Sequence, residues 1–282
     1  MKIQKVGVIG AGQMGAGIAQ VCAAIGKEVL LSDIKEKFVQ NGINTINKNL
    51  QRSVTKERIS QNEMDSTLAN VKTTIQNNDL VDCDIIIEAI IENVDIKKKL
   101  FGDLGKITKK NAILASNTSS IPIGILAEAS GRPTRVVGMH FMNPVPIMKL
   151  VEVIRAKTTN DETFDTTFKL AKDLSKVPVL VNDFPGFVSN RILLPMLNEA
   201  IFCVMEGVAE PEAIDTVMKL GMSHPMGPLR LADFIGLDTC LAIMQVLHRD
   251  MNDKKYRPCP LLIEMVKEGK LGNKTGEGFY KY

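Results

Sequence analysis

The apolar run Val6-Gly7-Val8-Ile9 leads without a break into Gly10-Ala11-Gly12-Gln13-Met14-Gly15, and an apolar helical stretch from Ala16 to Ile25 follows. Strand, glycine turn and helix in that order restrict the opening of the chain to a βα unit with a close crossing. Gly10 permits the tight turn, Gly12 lets backbone approach a pyrophosphate, and Gly15 lets the helix pack on the strand. The helix N-terminus then offers free N–H groups and a partial positive charge to phosphates. The next strand, Glu28-Val29-Leu30-Leu31-Ser32, ends at Asp33. A carboxylate there accepts hydrogen bonds from an adenosine ribose and repels a 2′-phosphate. The pattern therefore favours NAD over NADP, although nearby Lys35 leaves some tolerance of NADP open. A glycine-rich turn that binds nothing would explain the glycines, but not the strand, helix and acid in sequence.

A chain of 282 residues suits two domains, each with its own core. The net charge of +3 gives no reason to expect nucleic acid and does not resist an anionic ligand. No apolar run reaches membrane-spanning length, and the first strand begins too near Met1 for a signal peptide to be expected. Cys22, Cys83, Cys203, Cys240 and Cys259 are scattered and lack CxxC spacing. They read as free thiols in a reducing compartment, with no metal site, and a cytoplasmic protein is expected.

Further strand-like runs occur at Val71–Ile75, Asp84–Ile90, Ala112–Ser116, Arg135–Phe141, Lys149–Arg155 and Val177–Val181. Helical stretches fit between them: a polar, basic one from about Lys35 to Asp65, then Asp95–Ile107 and Asp161–Leu174. Such alternation predicts an α/β fold, a doubly wound Rossmann-type sheet with a parallel centre and helices on both faces. Beyond Asn182-Asp183-Phe184-Pro185-Gly186 the pattern turns helical, with stretches at Val188–Glu206, Pro211–Leu220, Gly227–His248 and Pro260–Glu268. The expected division is a dinucleotide-binding domain over 1–183 and an all-helical domain over 184–282. A helical unit of about a hundred residues gains from burying surface in a partner, so a homodimer through this half is expected, and assemblies of dimers are compatible with it.

His140 ends the run Val136-Val137-Gly138-Met139-His140, where an open α/β sheet places its ligand crevice. An imidazole there can exchange a proton with a hydroxyl near neutral pH. Glu152 sits inside the apolar run Leu150–Ile154 and needs a partner, which an imidazole would supply. Both also fit a structural histidine that is merely satisfied. Ser116-Asn117-Thr118-Ser119-Ser120 ends another strand, and its hydroxyls either face a substrate oxygen or cap the next helix. Asn190 opens the helical half, as an oxyanion donor or as a polar helix-start residue. Lys48, Arg52 and Lys56, spaced i, i+4, i+8, make a basic stripe that is either a solvated face or a grip for phosphates. His224 reads as a loop histidine and His248 as a surface one.

The stretches VGVIGAGQMGAGIAQ, IIEAIIEN, ASNTSSIPI, GMHFMNPVPIMKLVEV, DFPGFVSNR and GNKTGEGFYKY occur together and in order. On these the chain resembles the short-chain (S)-3-hydroxyacyl-CoA dehydrogenases along essentially its whole length, and most of all their stand-alone bacterial 3-hydroxybutyryl-CoA branch. The resemblance implies reversible NAD(H)-dependent interconversion of acetoacetyl-CoA and (S)-3-hydroxybutyryl-CoA, within butyrate or butanol fermentation or fatty-acid β-oxidation. It implies that His140 is the general acid/base, that Glu152 orients it, and that Ser119 and Asn190 hold the substrate. It implies cofactor contacts at Gly10, Gly12, Gln13, Met14, Gly15, Asp33, Glu92, Lys97, Asn117, Asn143 and Lys274. It places coenzyme A at Lys56 and Asn49, and raises the weight of the phosphate-grip reading for Lys48 and Arg52.

Two other readings share the opening motif. A dehydrogenase of free hydroxy acids needs one cationic anchor rather than a basic stripe. A nicotinamide-binding structural protein would have no need of the His140–Glu152 pair.

Overall fold

Short runs made mostly of apolar residues become the central strands here because a parallel sheet is covered on both faces, while the edge strands are more exposed. The computed structural model describes residues 1–282 and arranges eight strands in one sheet. They are β1 (Lys5–Ile9), β2 (Glu28–Ser32), β3 (Val71–Thr74), β4 (Ile85–Glu88), β5 (Ile113–Ser116), β6 (Val136–Phe141), β7 (Leu150–Arg155) and β8 (Val177–Asn182). Their spatial order is β3-β2-β1-β4-β5-β6-β7-β8. The first six run parallel in the doubly wound order, and its reversal between β1 and β4 opens a crevice at the carboxyl ends. β7 runs antiparallel to β6, and β8 runs parallel to β7.

The helices of this half are α1 (Gln13–Ala24), α2 (Glu36–Thr55), α3 (Gln61–Ala69), α4 (Val94–Ile107), α5 (Ile123–Ala129) and α6 (Asp161–Asp173). Residues alternate across the sheet. Ile85 and Ile87 join the core that α1 and α6 cover with Ile18, Cys22 and Leu170. Gly138 lies on the opposite face, where a Cβ would meet Ile154 at 2.7 Å and Ile123 of α5 at 3.0 Å.

The polar stretch expected as one helix from Lys35 to Asp65 is two. Glu57 turns the chain with a φ of 53°. Ser60 then starts α3 with a capping box, its hydroxyl accepting from Glu63 N while the Glu63 carboxylate accepts from Ser60 N. α5 was not among the expected helices. Its first turn is held by Asp183, whose two carboxylate oxygens accept from Ile123 N and Gly124 N at 2.9 and 2.8 Å.

The chain divides into two compact units, Met1–Asp183 and Phe184–Tyr282. The second contains α7 (Ser189–Met205), α8 (Pro211–Gly221), α9 (Pro228–Ile235), α10 (Leu237–Met251) and α11 (Pro260–Lys267). Leu197, Ile201, Leu229, Met244 and Leu262 lie in its core. The single helix expected over Gly227–His248 is broken at Gly236, whose φ of 102° no helix continues through, and the axis bends by 97°. Near the C-terminus the chain forms isolated bridges, Gly272 with Glu277 and Glu277 with Lys281. No single helix is long and apolar enough to cross a membrane.

Candidate active site

The glycine loop after β1 has the shape its sequence requires. Gly10 has a φ of 100°, and a Cβ there would lie 2.4 Å from Ala89 O. A Cβ on Gly15 would lie 1.7 Å from Gly10 O, so no other residue lets α1 pass that close to the turn. Gly12 differs, because no atom lies within 4 Å of where its Cβ would be. No side chain caps α1, so its first N–H groups face the same open space. This cradle fits the pyrophosphate of a dinucleotide. Asp33 follows β2 half-buried, with Oδ2 accepting from Ala11 N and Oδ1 from Ile34 N, each at 2.7 Å. The same carboxylate thus shapes the loop from the end of β2. Gln13 donates from Nε2 to Asn143 Oδ1 at 3.0 Å, joining α1 to the loop after β6. Met14 is half-buried against the main core.

The sheet itself brings the next pair together. In the antiparallel register of β6 and β7, His140 lies directly opposite Glu152. Their side chains meet at 2.8 Å between Nδ1 and Oε2. Glu152 is 1 % exposed and His140 is 6 %, so the carboxylate is sealed and only the ring edge looks outward. A carboxylate accepting at Nδ1 leaves Nε2 as the nitrogen that can take a proton. Nε2 lies 3.0 Å from Ser119 Oγ, in the loop after β5. Asn117 closes the gap between those two strands, its Oδ1 accepting from Phe141 N at 2.9 Å.

Behind Ser119 lies a group the sequence reading missed. Glu88, the last residue of β4, is fully buried. It accepts from Lys97 Nζ at 2.6 Å, from Ser116 Oγ at 2.6 Å and from Ile90 N at 2.7 Å. Lys97 is buried as well and also pairs with Glu92 at 3.1 Å. Glu92 Oε1 accepts from Thr118 Oγ1, Ser119 N, Ser120 N and Ser120 Oγ at 2.6 to 3.0 Å. Desolvation pushes the Glu92 carboxyl up, but the Lys97 charge and the hydroxyls of Thr118 and Ser120 outweigh it and hold it below its ordinary value. The signal for Glu88 was an acid closing the apolar strand Ile85-Ile86-Ile87, a place where an unpaired charge would be costly.

The loop after β6 is fixed from below. Lys176 is nearly buried and donates from Nζ to Val145 O and Met148 O. Its burial pushes the ammonium below its ordinary value. Val145 packs on α1 at Gly17, where a Cβ would come within 2.8 Å of it.

The sequence profile of the 3-hydroxyacyl-CoA dehydrogenase NAD-binding domain matches residues 5–184, and that of the family's C-terminal domain matches 186–282. The chain belongs to the 3-hydroxyacyl-CoA dehydrogenase family. It is 60 % identical to a Deinococcus radiodurans protein named as a probable 3-hydroxybutyryl-CoA dehydrogenase, over 99 % of this chain and all of that one. It is 52 % identical to the 3-hydroxybutyryl-CoA dehydrogenase of Bradyrhizobium diazoefficiens, over 99 % of this chain and 96 % of that one. Among solved structures, the (S)-3-hydroxybutyryl-CoA dehydrogenase of Ralstonia eutropha superposes with a TM-score of 0.97 at 50 % identity, covering 100 % of this chain and 99 % of that one.

In this dehydrogenase the basic stripe lies along one groove. Lys48, Arg52 and Lys56 line it with Asn44, Asn47, Gln51 and Thr55, around a volume of about 500 Å³. Lys56 caps the C-terminal end of α2 instead of continuing the helix. A cation there also complements the negative end of the helix dipole. Asn49 is half-buried and turns toward α1, its Nδ2 donating to Gln20 Oε1 at 3.4 Å.

In the second unit, Asn190 is half-buried in the first turn of α7. Lys274 pairs with Asp238 and lies against Gly236 at the break between α9 and α10. His224 is in the turn after α8 and His248 is half-buried in the last turn of α10. Two buried aspartates organise the C-terminal stretch. Asp233 accepts from Phe279 N and Tyr280 N, each at 3.0 Å. Asp215 accepts from Leu229 N at 2.8 Å and from the Tyr280 hydroxyl at 2.7 Å. Gly278 is required there, because its Cβ would fall 2.1 Å from Asp233 Oδ1.

Proposed function

We propose that this dehydrogenase interconverts acetoacetyl-CoA and (S)-3-hydroxybutyryl-CoA with NAD(H), with His140 as the general acid/base. The observation that carries the reading is the imidazole set between a buried carboxylate at 2.8 Å and the Ser119 hydroxyl at 3.0 Å. NAD, when bound at the glycine loop and Asp33, supplies the hydride acceptor, and NADH the donor. In oxidation, His140 Nε2 takes the proton of the C3 hydroxyl. In reduction the imidazolium would return it to the C3 ketone oxygen, with the hydride to C3 supplied by NADH when bound. Glu152 holds the ring in one orientation, leaving Nε2 to exchange the proton. Ser119 and Asn190 hold the substrate's oxygens. The glycine residues, Gln13, Met14, Glu92, Lys97, Asn117, Asn143 and Lys274 serve the cofactor side. Lys48, Arg52, Lys56 and Asn49 serve the coenzyme A side, where cations grip phosphates. The physiological setting is short-chain acyl-CoA metabolism in the cytoplasm, in fermentation or in β-oxidation.

A homodimer through the second unit belongs to the same reading. Val217, Leu220 and Met222 are exposed along and just beyond α8, Leu220 by 81 %. Light scattering is expected to give twice the 31.0 kDa chain mass, and a mass of one chain would count against the dimer.

The deciding assay follows loss of reduced-nicotinamide absorbance with acetoacetyl-CoA and NADH, beside NADPH and free acetoacetate. Turnover with the CoA ester and NADH alone is expected. Turnover of free acetoacetate would favour a hydroxy-acid dehydrogenase, and no turnover with any pair would remove the proposed reaction.

A further inference from the structure

We infer that Glu88 is a positioning residue, fixing through Lys97 and Glu92 where the Ser119 hydroxyl sits against His140. The inference rests on the reaction proposed above. The Glu88 side chain is fully buried, yet each of its partners begins or supports a loop of the site. Its Oε2 takes the Ser116 hydroxyl, at the foot of the Ser119 loop. Its Oε1 takes Ile90 N, in the segment that leads to Glu92. The same oxygen faces Lys97, which in turn faces Glu92 Oε2.

Glu92 then uses its other oxygen alone for four donors from three successive residues, Thr118, Ser119 and Ser120. The path from Glu88 to Ser119 is therefore made of charge-assisted contacts, and Glu88 and Lys97 are shielded from water. Buried charges of alternating sign balance one another. Without the charge on Glu88, the ammonium has Glu92 as its one remaining carboxylate. Lys97 then draws Oε2 inward, and the carboxylate turns off the Ser119 and Ser120 N–H groups. The hydroxyl 3.0 Å from His140 Nε2 moves with its backbone.

Glu88→Gln keeps the volume and removes the charge. Its test is a double-mutant cycle with Ser119→Ala, reading kcat for acetoacetyl-CoA reduction and the melting temperature of all four proteins. Glu88→Gln is expected to lower kcat about tenfold or more when Ser119 is present, and less than about twofold when it is alanine. A residue that only stabilised the fold would lower the melting temperature and cost the same factor in both backgrounds. Equal losses, or no loss with Ser119 present, would overturn the inference. Glu88→Asp, which keeps the charge but shortens its reach to Lys97, repeats the cycle if Glu88→Gln does not fold, with coupling of the same sign expected and equal losses again decisive against it. An inactive wild type would overturn the proposed reaction and this inference together. An active wild type with equal losses would overturn this inference alone.

Discussion

At the level of single residues, one ring is aimed by a carboxylate that water does not reach, and the proposed chemistry rests on that ring. His140→Gln keeps a polar side chain but cannot exchange a proton near neutral pH. It is expected to lower kcat by about 10²- to 10⁴-fold while leaving the NADH dissociation constant within about twofold. A kcat near wild type would remove His140 as the acid/base. The pair was legible in the sequence because a lone acid inside Leu150–Ile154 demands a partner and a histidine closes a nearby strand. Glu88 was less legible, since an acid at a strand end also fits a chain simply leaving the sheet. Asp215 and Asp233 were hidden for another reason. Their donors lie 14 and 46 residues away, at Leu229 N and Phe279 N, beyond the reach of any local pattern.

Among the elements, the glycine turn separates two roles that the motif runs together. Gly15→Ala would place a methyl 1.7 Å from Gly10 O, so the helix must move or the turn must open. It is expected to destabilise the protein by about 2 kcal/mol or more and to abolish NADH binding. Gly12→Ala meets nothing in the protein, so its melting temperature is expected to hold while NADH affinity falls. Thermal melts beside fluorescence titration with NADH check both, and a stable, binding Gly15→Ala would contradict the packing argument. The central strands were readable because each is a compact apolar run between polar ones, as in Ile85–Ile87 and Val136–Phe141. The helix breaks were not, because hydrophobic period runs on through Lys56–Ser60 and through Gly236. There, a capping box and a positive φ decide the outcome instead.

Taken whole, the molecule carries carboxylates shifted in opposite directions in its two units. In the first, Glu92 is held below its ordinary 4.5, and Asp84 below its ordinary 3.8 as bonds from Lys109, Lys5 and Gln4 outweigh its desolvation. Both favour the folded state above those values, and that contribution is lost as pH falls through the lowered ones. In the second, burial raises Asp233 despite its bonds to Phe279 and Tyr280. Its ionisation costs stability above the raised value, and that cost is relieved on acidification. Hydrogen exchange at about pH 3 and about pH 7, corrected for intrinsic rates, is expected to show the first unit losing more protection than the second. A greater loss in the second would reverse the assignment. The antiparallel turn of β7 has a different kind of consequence. His140 and Glu152 are neighbours by strand pairing, so the segment between them, 142–149, does not set their distance. Changes in that segment can therefore alter what enters the crevice while the His140–Glu152 pairing is kept by the sheet. Within that segment Asn143, Val145 and Met148 stay fixed, tied to Gln13 and Lys176, and the other positions are the ones a protein engineer can rewrite.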